Sequence, residues 1–269
     1  MNKAQRDMIF SQATKWIYEA GEQIRQQIHN PLTIDTKSNA NDLVTEMDRS
    51  TEAFLANNIK STFTDHFILS EEGYGDQLDS MNGIVWIIDP IDGTMNFVHQ
   101  KRNFAISIGI FNNGIGEIGL IYNVMEDVLY SAKRGEGAYK NNKKLPQLHR
   151  DILFEEAIVS MNHFWLCENR LVDEKWMQKL VKDVRGSRTY GSAALEFAFV
   201  AEGIIDSYLT LSLSPWDYAA GMVIISEVGG VTTTIDGDTL DMLSKTSVAS
   251  GNPLIQEKII ANYIKKARK

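Results

Sequence analysis

Residues 84–94 read Ile84-Val85-Trp86-Ile87-Ile88-Asp89-Pro90-Ile91-Asp92-Gly93-Thr94. An apolar run that meets an acidic, proline-bearing segment predicts a buried strand whose C-terminal end delivers Asp89. Pro90 fixes φ between the two aspartates and should stop the strand ladder there. The spacing lets the Asp89 and Asp92 carboxylates and the Ile91 carbonyl converge on one point. Hard oxygen donors of this kind suit magnesium. Gly93 permits close backbone approach, and its amide and that of Thr94 can cradle a phosphate. The Thr94 hydroxyl can position a water. Taken alone, the same residues read equally well as a solvated surface turn.

The surrounding chain supplies partners. Phe67-Ile68-Leu69 is a second short apolar run that ends in acidic residues, Glu71-Glu72. Open α/β sheets place ligands at strand C-terminal ends. Apolar spacing predicts an amphipathic helix over 4–28 and another from Asp48, as N-cap, to Phe63. Residues 105–111 and 115–124 flank Asn112-Asn113-Gly114 as a hairpin, with strands near 128–132 and 137–140. Beyond residue 150 the pattern alternates. Strands fall near 156–160, 184–186, 207–211, 231–234 and 246–250. Helices fall near 170–182, from Ser192 to Ala201 and from Trp216 to Val228, with a last one capped by Asn252 and opened by Pro253. Asp217 sits at a helix start, where a carboxylate is favoured. No linker interrupts residues 1–269, which read as one domain with a β-rich half (about 1–150) and an alternating half (about 151–269).

Composition narrows the function. The 269 residues carry a formal charge of -8, with 43% apolar and 23% charged residues. An acidic surface disfavours nucleic acid, and an anionic substrate would need local positive charge such as a bound divalent cation. The single cysteine, Cys167, excludes an internal disulfide and fits a reducing compartment. Apolar runs reach about five residues, against the roughly 18 a membrane span needs, and the N-terminus lacks a signal-peptide core. These features point to a soluble, cytoplasmic protein. Gly114-Ile115-Gly116-Glu117-Ile118-Gly119 matches a dinucleotide fingerprint by letter, but Leu120–Val124 after it reads as strand, so a hairpin is expected. Asp236-Gly237-Asp238 lacks calcium-loop spacing and reads as a turn.

The full run Trp86 to His99 resembles the first signature of the inositol monophosphatase family, and Trp216-Asp217-Tyr218-Ala219-Ala220-Gly221 its second. Asp42-Leu43-Val44-Thr45 with Asp48, Glu71-Glu72-Gly73 and Gly191-Ser192-Ala193-Ala194-Leu195-Glu196 also match, in family order. The resemblance implies an α/β layered sandwich (αβαβα), sugar-phosphatase-like, with mixed and antiparallel sheets, and a homodimer. It implies a phosphoric monoester hydrolase that is lithium-sensitive and uses two to three Mg2+ ions. Glu72, Asp89 and the Ile91 carbonyl would hold the first, and Asp89, Asp92 and Asp217 the second, with Asp89 bridging. A third would sit on Glu72. Glu72 and Thr94 would orient the attacking water, with Asp48 behind Thr94 and Lys37 near the metal waters. No covalent phosphoenzyme is needed. An aspartyl-nucleophile mechanism on Asp89 is disfavoured because the two aspartates are three apart.

Substrate contacts map to Asp92, Gly93, Thr94, Gly191, Ser192, Ala193, Thr210 and Asp217. At Thr210 the chain departs from the animal enzymes, which place there a glutamate that holds inositol hydroxyls. The resemblance therefore implies hydrolysis of a small phosphomonoester such as inositol monophosphate. NADP 2′-phosphate, fructose 1,6-bisphosphate and 3′-phosphoadenosine 5′-phosphate are alternatives. A non-catalytic metal- and phosphate-binding regulator is disfavoured by the intact set Glu72, Thr94 and Asp48.

Overall fold

The computed structural model describes residues 1–30, 34–36, 43–149 and 151–268. Helix α1 (Lys3–Gln27) opens on Asn2, whose side chain accepts from the Gln5 amide, and buries Ile9, Ala13, Trp16, Ile17, Ala20 and Ile24. Short strands β1 (Ile34–Thr36) and β2 (Leu43–Thr45) pair antiparallel and lead into α2 (Glu46–Thr62). The cap of α2 is Thr45 instead of the expected Asp48. Thr45 and Asp48 form a capping box in which the Asp48 carboxylate accepts from the Thr45 amide at 2.9 Å, which turns that carboxylate inward.

Strands β3 (Phe67–Ser70) and β4 (Ile84–Asp92) follow, then α3 (Thr94–Gln100) and the meander β5 (Ala105–Asn112), β6 (Ile115–Asn123), β7 (Val128–Lys133), β8 (Gly137–Lys140) and β9 (Lys143–Lys144). They form a seven-stranded sheet in sequence order, with β3 and β4 parallel and the rest antiparallel. The ladder does not stop at Pro90, as the sequence suggested. Asp89 pairs with Ser107 and Asp92 with Ala105, so one extra residue bulges out between them and the strand resumes. Gly114 lies in the β5–β6 turn and Gly116 and Gly119 on β6, as a hairpin requires.

The second half contains β10 (Ile158–Met161), α4 (Glu174–Asp183), β11 (Gly186–Arg188), α5 (Ala193–Glu202), β12 (Ser207–Leu213), α6 (Pro215–Glu227), β13 (Val231–Thr233), β14 (Thr246–Gly251) and α7 (Pro253–Ile259). Its sheet runs β11-β10-β12-β14-β13, with β11, β10 and β12 parallel.

Alternation along the strands builds the layers. Ile84, Trp86 and Ile88 of β4 join the core under α1 and α2, while Val85 and Ile87 face α5 and α6. On β12, Tyr208 joins that middle core, and Leu209 and Leu211 turn outward to α4 and α7. The order is helix, sheet, helix, sheet, helix: the layered α/β sandwich anticipated above. Among the described residues no helix is long and apolar enough to cross a membrane.

Candidate metal and phosphate centre

The bulge at the end of β4 turns both Asp89 and Asp92 into the interior, where each is buried. Asp217 reaches the same place from the first turn of α6. Its carboxylate accepts from the Ser214 amide at 2.7 Å, so the helix cap fixes its direction. Ligand oxygens of Asp89, Asp92 and Asp217 all lie within 4.8 Å of one another. Asp92 is held from a third element. It accepts from the Ser192 hydroxyl, from the Ala194 amide at 2.9 Å and from the Ala193 amide at 3.2 Å, at the start of α5. These donors suit a fixed carboxylate. Ser192 and Ala193, which the sequence placed beside the substrate, are seen here to fix Asp92.

Gly93 adopts φ 91°, and a Cβ there would lie 3.0 Å from the Ser192 Cβ and 3.1 Å from the Gly191 carbonyl. Both conformation and space demand glycine at this position. Asn96 ties the two sides together, donating to the Asn103 carbonyl at 2.8 Å and the Tyr190 carbonyl at 2.7 Å. The Thr94 Oγ1 lies 3.1 Å from the Ile91 carbonyl and 3.2 Å from Asp48 Oδ1, the contact expected of Asp48.

The adjacent glutamates correct one expectation. Glu71, not Glu72, reaches the cluster: its carboxyl is hydrogen-bonded to Asp89, and its charge acts on Asp48, Asp92 and Asp217. The cause lies beneath the turn. Glu52, fully buried on α2, accepts from the Ser70 hydroxyl at 2.7 Å, the Glu72 amide at 2.7 Å and the Tyr74 amide at 2.9 Å. With the Glu72 amide drawn towards α2, the Glu72 charge acts on Arg49. Glu52 and Asn96 escaped the sequence reading. A glutamate one turn after Asp48 on the same helix face was the available signal for the first.

Thr210 is buried on β12, just before the register of that strand shifts against β14, on the same strand face as Tyr208. Lys37 lies outside the described residues, as does Asp42.

Electrostatics set what the cluster can hold. Burial pushes the Asp89 carboxyl well above the usual range, and the charges of Glu71, Asp92 and Asp217 add to this. Burial lifts Asp92 to about 7 against the lowering effect of Ser192 and Ala194. Burial and the Asp92 and Glu71 charges also raise Asp217. Among the described residues no lysine or arginine forms an ion pair with any of the three. The Lys245 charge acts on Asp217 without forming an ion pair, but carboxylates placed this closely still repel one another, and a hard divalent cation relieves the conflict. Fold and site together define a carboxylate-centred hydrolase of phosphate esters.

Comparison with known proteins agrees. The inositol monophosphatase family model matches residues 5–267. The inositol-1-monophosphatase of Bacillus subtilis is 57% identical over 252 residues, covering 94% of this chain and 95% of that protein. A staphylococcal enzyme, SaIMPase-II, solved with 2′-AMP bound, superposes with a TM-score of 0.88 at 41% identity, covering 96% of this chain and 95% of that one. A structure described as IMPase/NADP phosphatase complexed with Mg2+ and phosphate has a TM-score of 0.88 at 27% identity, covering 98% of this chain and 99% of that one. The chain belongs to the inositol monophosphatase family. It is a phosphoric monoester hydrolase.

Proposed function

We propose that this chain hydrolyses inositol monophosphate and similar small phosphomonoesters with magnesium as cofactor. The convergence of Asp89, Asp92 and Asp217 within 4.8 Å carries this reading. Asp89 would bridge two ions, completed by Asp92, Asp217 and the Ile91 carbonyl. Glu71 takes the role expected of Glu72, including the looser third ion. Magnesium there supplies positive charge that polarises water and phosphate oxygens.

The chain's own groups do the rest. Thr94, held between Asp48 and the Ile91 carbonyl, directs its hydroxyl at the attacking water together with Glu71. The amides of Gly93 and Thr94 hold phosphate oxygens. Ser192 and the Ala193 and Ala194 amides keep Asp92 rigid, so that one face meets metal and the other the departing alcohol. Positioning of this kind keeps the reacting groups aligned.

Nucleoside 2′-phosphates form a second reading. Thr210 stands where a carboxylate would grip a polyol, and it offers a single hydroxyl instead. The relatives solved with 2′-AMP and described as an NADP phosphatase support that extension. Residues 1–269 are read as one domain because α5 and α6 share a core with both sheets. A cytoplasmic homodimer, inhibited by lithium competing for a magnesium position, completes the proposal.

Phosphate release measured with magnesium on inositol 1-phosphate, NADP, fructose 1,6-bisphosphate and 3′-phosphoadenosine 5′-phosphate tests it. Turnover of inositol 1-phosphate or NADP above the others is expected. Release independent of magnesium, or unaffected by lithium at limiting magnesium, would count against it.

A further inference from the structure

Strands β10, β11 and β12 run parallel, so their C-terminal ends open on one edge of the sheet. Two of the three segments leaving that edge already serve the site. The segment after β11 leads through Gly191 to Ser192 and Ala193, and the one after β12 leads to Asp217. The third, after β10, has no role in the hydrolysis described above. It reads Asn162-His163-Phe164-Trp165-Leu166 and winds into a single helical turn.

Its place is fixed by pairing. Met161 aligns with Leu209, so Asn162 leaves the sheet beside Thr210. The Thr189 hydroxyl donates to the Met161 carbonyl, which ties this end of β10 to the turn before Gly191. The turn itself is braced. The Phe164 amide donates to Asn162 Oδ1 at 3.0 Å, the Cys167 amide donates to the Phe164 carbonyl at 3.2 Å, and Trp165 packs into the outer core. Between these anchors, His163 and Phe164 stack on each other with ring centroids 5.1 Å apart, and Phe164 stays 61% exposed.

One exposed aromatic is ordinary on a protein surface. A braced, stacked pair of rings beside Thr210, where a polyol-gripping carboxylate is missing, is a different feature. Planar bases stack on such rings without needing hydrogen-bond partners. We propose that His163 and Phe164 form a stacking platform for the purine base of a nucleoside 2′-phosphate whose phosphate lies at the carboxylate centre. The proposal rests on the phosphomonoesterase reading of that centre and adds the residues that would hold the base of a nucleoside 2′-phosphate.

The test compares 2′-AMP with β-glycerophosphate, which carries no ring, for the wild type, Phe164→Ala and Phe164→Trp, with magnesium. Phe164→Ala should raise KM for 2′-AMP by about 5- to 150-fold, the range base–aromatic stacking supplies. It should leave both constants for β-glycerophosphate within about twofold, and Phe164→Trp should keep the wild-type KM for 2′-AMP. Equal KM for 2′-AMP in wild type and Phe164→Ala would overturn the platform, as would equal losses on both substrates. Failure of the wild type to release phosphate from either would instead refute the phosphatase reading. In that case calorimetric binding of 2′-AMP still decides the platform: unchanged affinity in Phe164→Ala rejects it.

Discussion

Asp89 illustrates how one side chain can be costly for stability and necessary for chemistry. It is buried among three other carboxyl groups, and its ionised form is disfavoured by burial and by their charge. Asp89→Asn should therefore raise the melting temperature of the metal-free protein while removing a proposed bridging ligand. Thermal unfolding in a chelator checks the first effect, and a lowered melting temperature would contradict it. The same repulsion fixes a pH dependence. The Asp92 carboxyl stands at about 7 in the folded chain against an ordinary value of 3.8. Between those values the folded chain keeps a proton that the unfolded chain has lost. Metal-free stability should thus fall as pH rises from about 4 to about 7. Magnesium must displace that proton, so the melting-temperature rise it causes should be larger at pH 8 than at pH 6. A rise independent of pH would argue against metal on Asp92.

At the scale of elements, much was legible because period and punctuation agreed. The α1 stripe, the β5–β6 hairpin and the Asn252-Pro253 helix start follow from spacing and cap chemistry. Two features were hidden by tertiary context. Glu71 and Glu72 are adjacent acids at a strand end, and only the buried Glu52 beneath them decides which one turns inward. Pro90 reads as a stop, yet at a bulge it has no ladder bond to lose. Glu71→Gln should lower phosphate release by about tenfold or more, the scale of losing a metal-assisting group. Glu72→Gln should change it little, and the reverse order would refute the placement of Glu71. Glu52→Ala strips one hydroxyl and two amides of their acceptor, and should cost about 2–4 kcal/mol together with a higher magnesium requirement. Glu52→Gln, which keeps one acceptor oxygen, should recover part of both. Urea unfolding and a magnesium titration of activity read these effects.

At the scale of the molecule, the site exists because two sheets share a middle helical layer. Asp89 and Asp92 come from β4, the groups that grip Asp92 from α5, and Asp217 from α6. The seam is tight: a Cβ on Gly119 of β6 would lie 2.4 Å from the Ala220 carbonyl of α6. Gly119→Val should force α6 off the sheet, cost about 1–3 kcal/mol and weaken magnesium binding through Asp217. Loss of stability with an unchanged magnesium requirement would show that the seam does not position the site. On the reading proposed above, the cluster around Asp89 hydrolyses phosphate esters with magnesium. The most direct test is phosphate release from inositol 1-phosphate by the wild type and Asp89→Asn, each with magnesium and with a chelator. Release by the wild type with magnesium alone, and a loss of about 100-fold or more in Asp89→Asn, are expected of a bridging ligand. Undiminished release in the chelator, or full activity in a folded Asp89→Asn protein, would contradict the claim.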